Sequence, residues 1–282
     1  MRAKCTFGDR LSQCLSARLH YSPLLPSLLL KLVITPALIA AATLAGRRWG
    51  DRLSGWLVGL PLTSGPVVFF LAVEQGSGFA TTAALAVLLG TVSQAAFAVA
   101  YARAAVRNGW PLATAAGCVV FAVSTIGFQR VSLPAVPAFA LVTAVLILAT
   151  IFMPKSRPAE TRAAPPRWDL PLRIVVATGL VLLLTGIAPA IGAHLTGLLS
   201  PFPVYAGVLT TFAHRHSGEA AINVLRGLLL GLFSFGAFFL VLAVGLKAIG
   251  IGLAFLLATG TTLVIQGLTL RAARGAGGGP VP

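Results

Sequence analysis

Carboxylates are almost missing from this chain: six Asp and Glu in 282 residues, against 21 Lys and Arg. A catalytic centre built on paired acids, or a metal shell that uses them, has little to draw on. Charge of either sign is scarce, at 10% of residues against 57% hydrophobic. Too few polar groups remain to clothe a water-soluble globule, so the composition places the chain in lipid. Cysteine is scarce too. Cys5, Cys14 and Cys118 show no Cys-x-x-Cys spacing and imply neither a metal site nor a disulfide framework; Cys118, within an apolar run, reads as a small core hydrophobe. The Gly-x-Ser-x-Gly, His-Glu-x-x-His and P-loop patterns are all absent. The glycine-rich 275–279 has no downstream helix on which to seat a phosphate. The chain is therefore not expected to be an enzyme, and no cofactor or metal is expected.

What is present is an almost continuous apolar stretch from residue 23 to 270, broken by short punctuation. Backbone polar groups in hydrocarbon must be satisfied internally, which leaves helices or a closed barrel. Stretches such as 24–46 and 228–245 are apolar on every side rather than alternating, so helices are expected. The expected fold is an all-α, polytopic transmembrane bundle of about nine spans: 24–46, 50–73, 79–102, 109–128, 133–152, 171–189, 191–213, 220–245 and 248–270. Pro61 and Pro66 in the second span, and Pro201 and Pro203 in the seventh, predict kinks or local unwinding. Five regions follow: a mobile basic tail over 1–22, a first half with an extra fifth span over 23–152, a basic Pro-rich linker over 153–170, a second half over 171–270 and a flexible Gly-rich tail over 271–282.

The formal charge of +15 is scattered over connections and ends without aromatic interleaving. It reads as basic loops held on one side of a bilayer and touching anionic headgroups, not as a nucleic-acid surface. Most connecting basic residues, from Arg47 and Arg103 to Lys155 and Arg271, gather on one side. Arg2, Lys4, Arg10, Arg18, Arg130 and Lys247 fall on the other, so the positive-inside rule predicts an outside N-terminus. The basic head and first apolar run resemble a signal peptide. Arg47, Arg48 and Arg52 immediately behind the run oppose its translocation, so it is expected to be retained.

The two halves also match each other. A constant offset pairs Gly50 with Gly192, Gly55 with Gly197, Pro61 with Pro203, Gly65 with Gly207 and Phe70 with Phe212. After a one-residue slip, Gly90 meets Gly231, Ser93 meets Ser234 and Phe97 meets Phe238, while Gln94 meets Phe235. Two related four-span halves separated by five crossings stand upside down relative to each other. Many secondary transporters are built on that plan.

The densest polar cluster runs from His214 through His216 to Glu219, then Asn223 and Arg226. Spacings of four and three put Glu219, Asn223 and Arg226 on one helical face, with Glu219 in the first turn if Ser217 or Gly218 starts the helix. Arg226 inside a span requires a partner or a wet cavity; Glu219 and Glu74 are the candidates. The set is either a structural ion pair or part of a substrate or proton path. His214 and His216 lack the further ligands of a metal shell and read as interfacial. Lys31 reads as a snorkelling side chain.

Phe202 and Pro203, followed by the turn that carries Glu219 and then Arg226, resemble the GlpM-type small bacterial inner-membrane proteins. Members of that family are single four-span units with a Phe-Pro element, a polar turn containing Glu and a following Arg. The resemblance implies a duplicated version in one chain, a multi-pass location in the bacterial inner membrane, and family-like positions Phe202, Pro203, Glu219 and Arg226. The first half departs from the pattern in lacking the Arg. The functional expectation is a transporter or permease-like protein for a small solute or lipid-linked substrate. The alternative is a non-transporting scaffold or accessory subunit with a membrane-protein partner or a second copy of itself.

Overall fold

The computed structural model describes residues 24–49, 60–155 and 168–275. The expected N-terminal tail, residues 156–167 of the central linker and the end of the C-terminal tail lie outside the described residues, as do Cys5 and Cys14. Among the described residues there are nine α-helices and no strand. They are α1 (Leu24–Trp49), α2 (Ser64–Gln75), α3 (Ser77–Ala105), α4 (Trp110–Phe128), α5 (Ala135–Phe152), α6 (Asp169–Leu199), α7 (Val204–His216), α8 (Gly218–Ala248) and α9 (Ile251–Gly275).

Six of these helices are long and apolar enough to cross a membrane: α3, α4, α5, α6, α8 and α9. α1 is a 26-residue helix whose described side chains form an apolar stretch over Ser27–Ala41, and the described parts of the expected 50–73 and 191–213 spans are not continuous helices. The described part of 50–73 is a break at Leu60–Thr63 followed by α2. The 191–213 segment is the last two turns of α6, a break at Ser200–Pro203 and then α7. Proline explains both interruptions: it has no N–H to donate, and its ring clashes with the preceding turn.

Burial sorts the helices. The apolar windows of α3 and α8 are 78% and 67% buried, against 22–33% for α4, α5, α6 and α9. α3 and α8 pack on each other at the centre, and each forms a hairpin with its successor, α4 or α9. α5 lies against both central helices, α1 lies against α6, and α6 also packs on α3. The outer helices turn long apolar side chains outward, including Val119, Ile126, Val136, Ile151, Leu256 and Val264. Such faces are untenable in water and ordinary in lipid tails. The core of α3 is instead rich in alanine, with Ala80, Ala83, Ala84, Ala86, Ala95 and Ala98 all inaccessible. Small residues let backbones approach where lipid supplies no hydrophobic drive between helices.

Three glycines make the crossing of α6 and α3 possible. Gly192, at φ 81 and ψ 164, interrupts α6 in a region open essentially to glycine alone. The last turns of α6 thereby change direction and fall onto α3. There a Cβ on Gly197 would strike the Ala83 carbonyl, and one on Gly90 would sit 2.7 Å from the Pro201 ring. The chain is an all-α, multi-span membrane protein.

Candidate functional site

The polar cluster read from sequence is only partly assembled. Ser217 does cap α8: its hydroxyl accepts the Ala220 N–H at 3.0 Å, and Glu219 stands in the first turn. Glu219, however, is exposed and makes no ion pair with Arg226. Arg226 instead donates from Nε and Nη2 to the Pro154 carbonyl, at 3.2 and 2.9 Å. That carbonyl lies just beyond the end of α5, where the helix dipole favours a cation. Arg226 thus clamps α5 to α8. Asn223, half-buried between them in sequence, is also engaged.

Glu74 is not the partner of Arg226 either. It forms the ion pair seen among the described residues, with Lys31 Nζ 2.7 Å from Oε1 and donating to Oε2 at 2.9 Å. Lys31 does not snorkel. It is buried, with its ammonium 5.4 Å from the centre of the Phe70 ring. His214 is buried, its Nδ1 3.2 Å from the Tyr101 hydroxyl, while His216 is exposed. His194 reaches the Phe128 carbonyl at 3.2 Å. No cluster of three or more potential metal ligands occurs among the described residues.

The most unusual polar environment lies elsewhere, where the two broken segments meet. Ser64, at the start of α2, donates to the Ser200 carbonyl at 2.9 Å and ties one break to the other. The backbone pattern is the same in both. Leu62 N–H closes on the Leu60 carbonyl at 2.8 Å, and Val204 N–H on the Phe202 carbonyl at 2.8 Å. Gly65 N–H meets the Pro61 carbonyl at 2.9 Å, and Gly207 N–H the Pro203 carbonyl at 2.6 Å. These are the positions that the sequence offset pairs.

Between the breaks lies a cavity of about 20 Å³ for the centre of a water molecule, about the room one ordered water needs. Its wall comes from Leu60, Thr63 and Ser64 of one break, Pro201, Phe202 and Tyr205 of the other, Gln94 of α3 and Phe235 of α8. Gln94 and Phe235 sit near the middle of the two central helices, so the cavity is at mid-depth in the bundle. Gln94 is 7% exposed, and its Oε1 has no hydrogen-bond partner; Ser200 Oγ, fully buried, has none either. A buried amide oxygen left unpaired is costly. An ordered water in the cavity is the ordinary way to satisfy such a group.

A second buried cation stands over this site. Arg173 is 3% exposed, its guanidinium carbon 4.9 Å from the centre of the Tyr205 ring, and the Tyr205 hydroxyl is 3.4 Å from Thr43 Oγ1. Arg173 falls at the start of the expected 171–189 span. The signal was available: running the same offset toward the N-terminus pairs Leu30-Lys31-Leu32-Val33 with Leu172-Arg173-Ile174-Val175. Lys31 and Arg173 are thus buried cations near the starts of α1 and α6. No protein-family model, curated protein or solved structure matches the chain.

Proposed function

We propose that the chain is a secondary transporter or permease-like protein built from two inverted four-crossing halves, with α5 as the unpaired ninth crossing. In this reading α2 and α7 are the second parts of two broken spans, and the solute passes where those spans cross. One observation carries the reading: Gln94, whose Oε1 has no hydrogen-bond partner, lines a mid-depth cavity walled by two interrupted helices. Non-helical backbone at membrane depth is tolerated where it lines a cavity, and transporters place their sites at such interruptions. The duplication is supported by the matched hydrogen bonds at Pro61 and Pro203 and by the paired cations Lys31 and Arg173. On this account the chain is a duplicated relative of the GlpM-type proteins in a bacterial inner membrane.

Arg226 then holds α8 to the end of α5, with Glu219 exposed in the first turn of α8, away from the solute path. Uptake into proteoliposomes is the direct test. Gln94→Leu should abolish flux of any solute the protein carries, whereas Arg226→Ala should lower stability more than flux per folded molecule. Flux lost in Arg226→Ala and intact in Gln94→Leu would return the path to the α8 cluster. The scaffold reading draws on the small size of the cavity. It requires that the crossing never open, and so predicts no Gln94-dependent flux at all.

A further inference from the structure

We infer that the groove between α3 and α5 is a site for one phospholipid of net negative headgroup charge. An acyl chain lies along the groove and the phosphate sits on Arg103. The inference is independent of the transport reading and concerns a different face of the bundle. Shape, length and charge carry it.

The shape comes from two matching stripes. α3 contributes Val92, Ala95, Ala96 and Val99, and α5 contributes Val145, Leu148, Ala149 and Phe152. Both sets run i, i+3, i+4, i+7, so each helix lays one apolar row along the same trough. The alanines keep its floor low between longer side chains. The trough holds about 480 Å³, room enough for a ligand, and opens to the outside of the bundle. Apart from Arg103 its wall is wholly apolar.

The length suits a single leaflet. From Val92 to Arg103 is about 16 Å at about 1.5 Å per residue, close to half of a hydrocarbon core about 30 Å thick. α3 ends at Ala105 and α5 at Phe152, so the mouth of the trough is at the end of the bundle, at headgroup level.

Charge selects the headgroup. Arg103 stands one helical turn beyond Val99 and is exposed. Its Nη2 donates to the Phe152 carbonyl at 3.4 Å, and its guanidinium carbon lies 5.7 Å from the centre of the Phe152 ring. These contacts hold the guanidinium across the mouth and leave most of its N–H donors for a phosphate. Among the described residues no carboxylate forms an ion pair with it. The negative poles of α3 and α5 are already answered here. The Ala104 carbonyl accepts from the Arg107 and Asn108 N–H groups, and the Pro154 carbonyl accepts from Arg226. Exposed Arg107, four residues past Arg103, and exposed Lys155, three past Phe152, add further cations. This end of the bundle repels the ammonium of a zwitterionic headgroup and attracts a headgroup of net negative charge. A symmetric pairing of two chains through the groove would bring a second set of the same cations to it.

Native mass spectrometry of the full-length protein, delipidated in mild detergent and titrated with single lipids, reads the site directly. Wild type should bind its first phosphatidylglycerol at least about fivefold more tightly than phosphatidylethanolamine with the same tails, the effect of one basic residue at an anionic surface. Arg103→Gln should remove that preference. Arg215→Gln should leave it, although it removes the same charge at the same end, over Trp110. Ala96→Phe fills the trough and should weaken phosphatidylglycerol binding by a similar factor. Equal affinity for the two lipids in wild type, or a preference lost equally in Arg103→Gln and Arg215→Gln, overturns the inference. So does glycerophosphoglycerol, the headgroup without tails, if it competes as well as the whole lipid, since the trough would then add nothing. A lipid-free dimer broken by Ala96→Phe gives the groove to a second copy and also overturns it. If a variant fails to fold, the wild-type preference and the tail-less competitor decide the matter.

Discussion

Lys31 and Glu74 show what a low count of acids does to each acid that remains. The pair is largely withdrawn from solvent, with side-chain exposures of 8% and 19%. Its attraction therefore has to offset the desolvation of both partners. Removing one member strands the other, so Lys31→Met should destabilise the protein by about 3 kcal/mol, the lower end of the range for a buried pair because Glu74 keeps some contact with solvent. Lys31→Met combined with Glu74→Gln should recover most of that loss, as read from unfolding midpoints in mild detergent. Arg226 behaves differently because its partner is a neutral carbonyl. Arg226→Ala should cost about 1.5–3 kcal/mol, and Arg226→Lys should restore only part of it, since one ammonium donor replaces a two-nitrogen fork. These partners explain why the candidate site was only half legible. Sequence spacing put Glu219 and Arg226 on one face of α8, and helical geometry bears out that much. It carried no information about the end of α5, whose Pro154 carbonyl takes the guanidinium. From sequence Gln94, the mate of Phe235, reads as hydrogen-bonding across helices, because a lone amide in an apolar run gives no sign that its Oε1 will be left unpaired.

The elements of this fold are limited by backbone approach more than by side-chain volume. Three glycines within α6 separate the possibilities. Gly192 has a positive φ, Gly197 lies against the backbone of α3, and Gly179 has helical conformation with open space where a Cβ would go. Gly179→Ala should be neutral or stabilising by about 0.5–1 kcal/mol, because alanine loses less backbone freedom in a helix. Gly192→Ala should cost about 1–3 kcal/mol in backbone strain. Gly197→Ala should be at least as damaging, since the last turns of α6 cannot settle on α3 without moving the Ala83 carbonyl. Thermal melts of the three variants give the order directly; equal effects at 179 and 197 would contradict the packing described. The same elements show how far sequence reaches. Apolar runs and their breaks placed α3, α4, α5, α8 and α9 within a few residues of their observed bounds, since a long lipid-soluble helix writes its length into composition. Pro61 and Pro203 marked the two interruptions. The course of the 191–213 segment was not legible, because whether a broken span continues or folds back depends on what lies beside it, here the small residues of α3.

The arrangement of the whole molecule turns on whether corresponding turns face opposite ways. α2 ends and α3 begins at Gly76, while α7 ends and α8 begins around Ser217. The offset that pairs the two breaks also pairs these turns, placing Gly76 on Gly218. In a chain duplicated without inversion the two turns would lie on the same membrane face; with an odd number of crossings between them they lie on opposite faces. Gln75 and His216 are both exposed at these turns, so a single cysteine at either position is open to an impermeant maleimide from one side only. With Cys5, Cys14 and Cys118 replaced by serine or alanine, Gln75→Cys should label in intact bacterial cells. His216→Cys should label only after the membrane is opened, since the connection at Arg215 belongs to the basic, inward side. A second pair checks the same geometry over one helix: Asn108→Cys before α4 should follow His216→Cys, and Arg130→Cys after it should follow Gln75→Cys. Labelling of Gln75→Cys and His216→Cys from one face would rule out inverted halves. It would also remove the pseudo-symmetric crossing from which a solute path through Gln94 is argued. The reverse result, with each member of a pair labelled from the other side, would keep the inversion and turn the whole molecule over in the membrane.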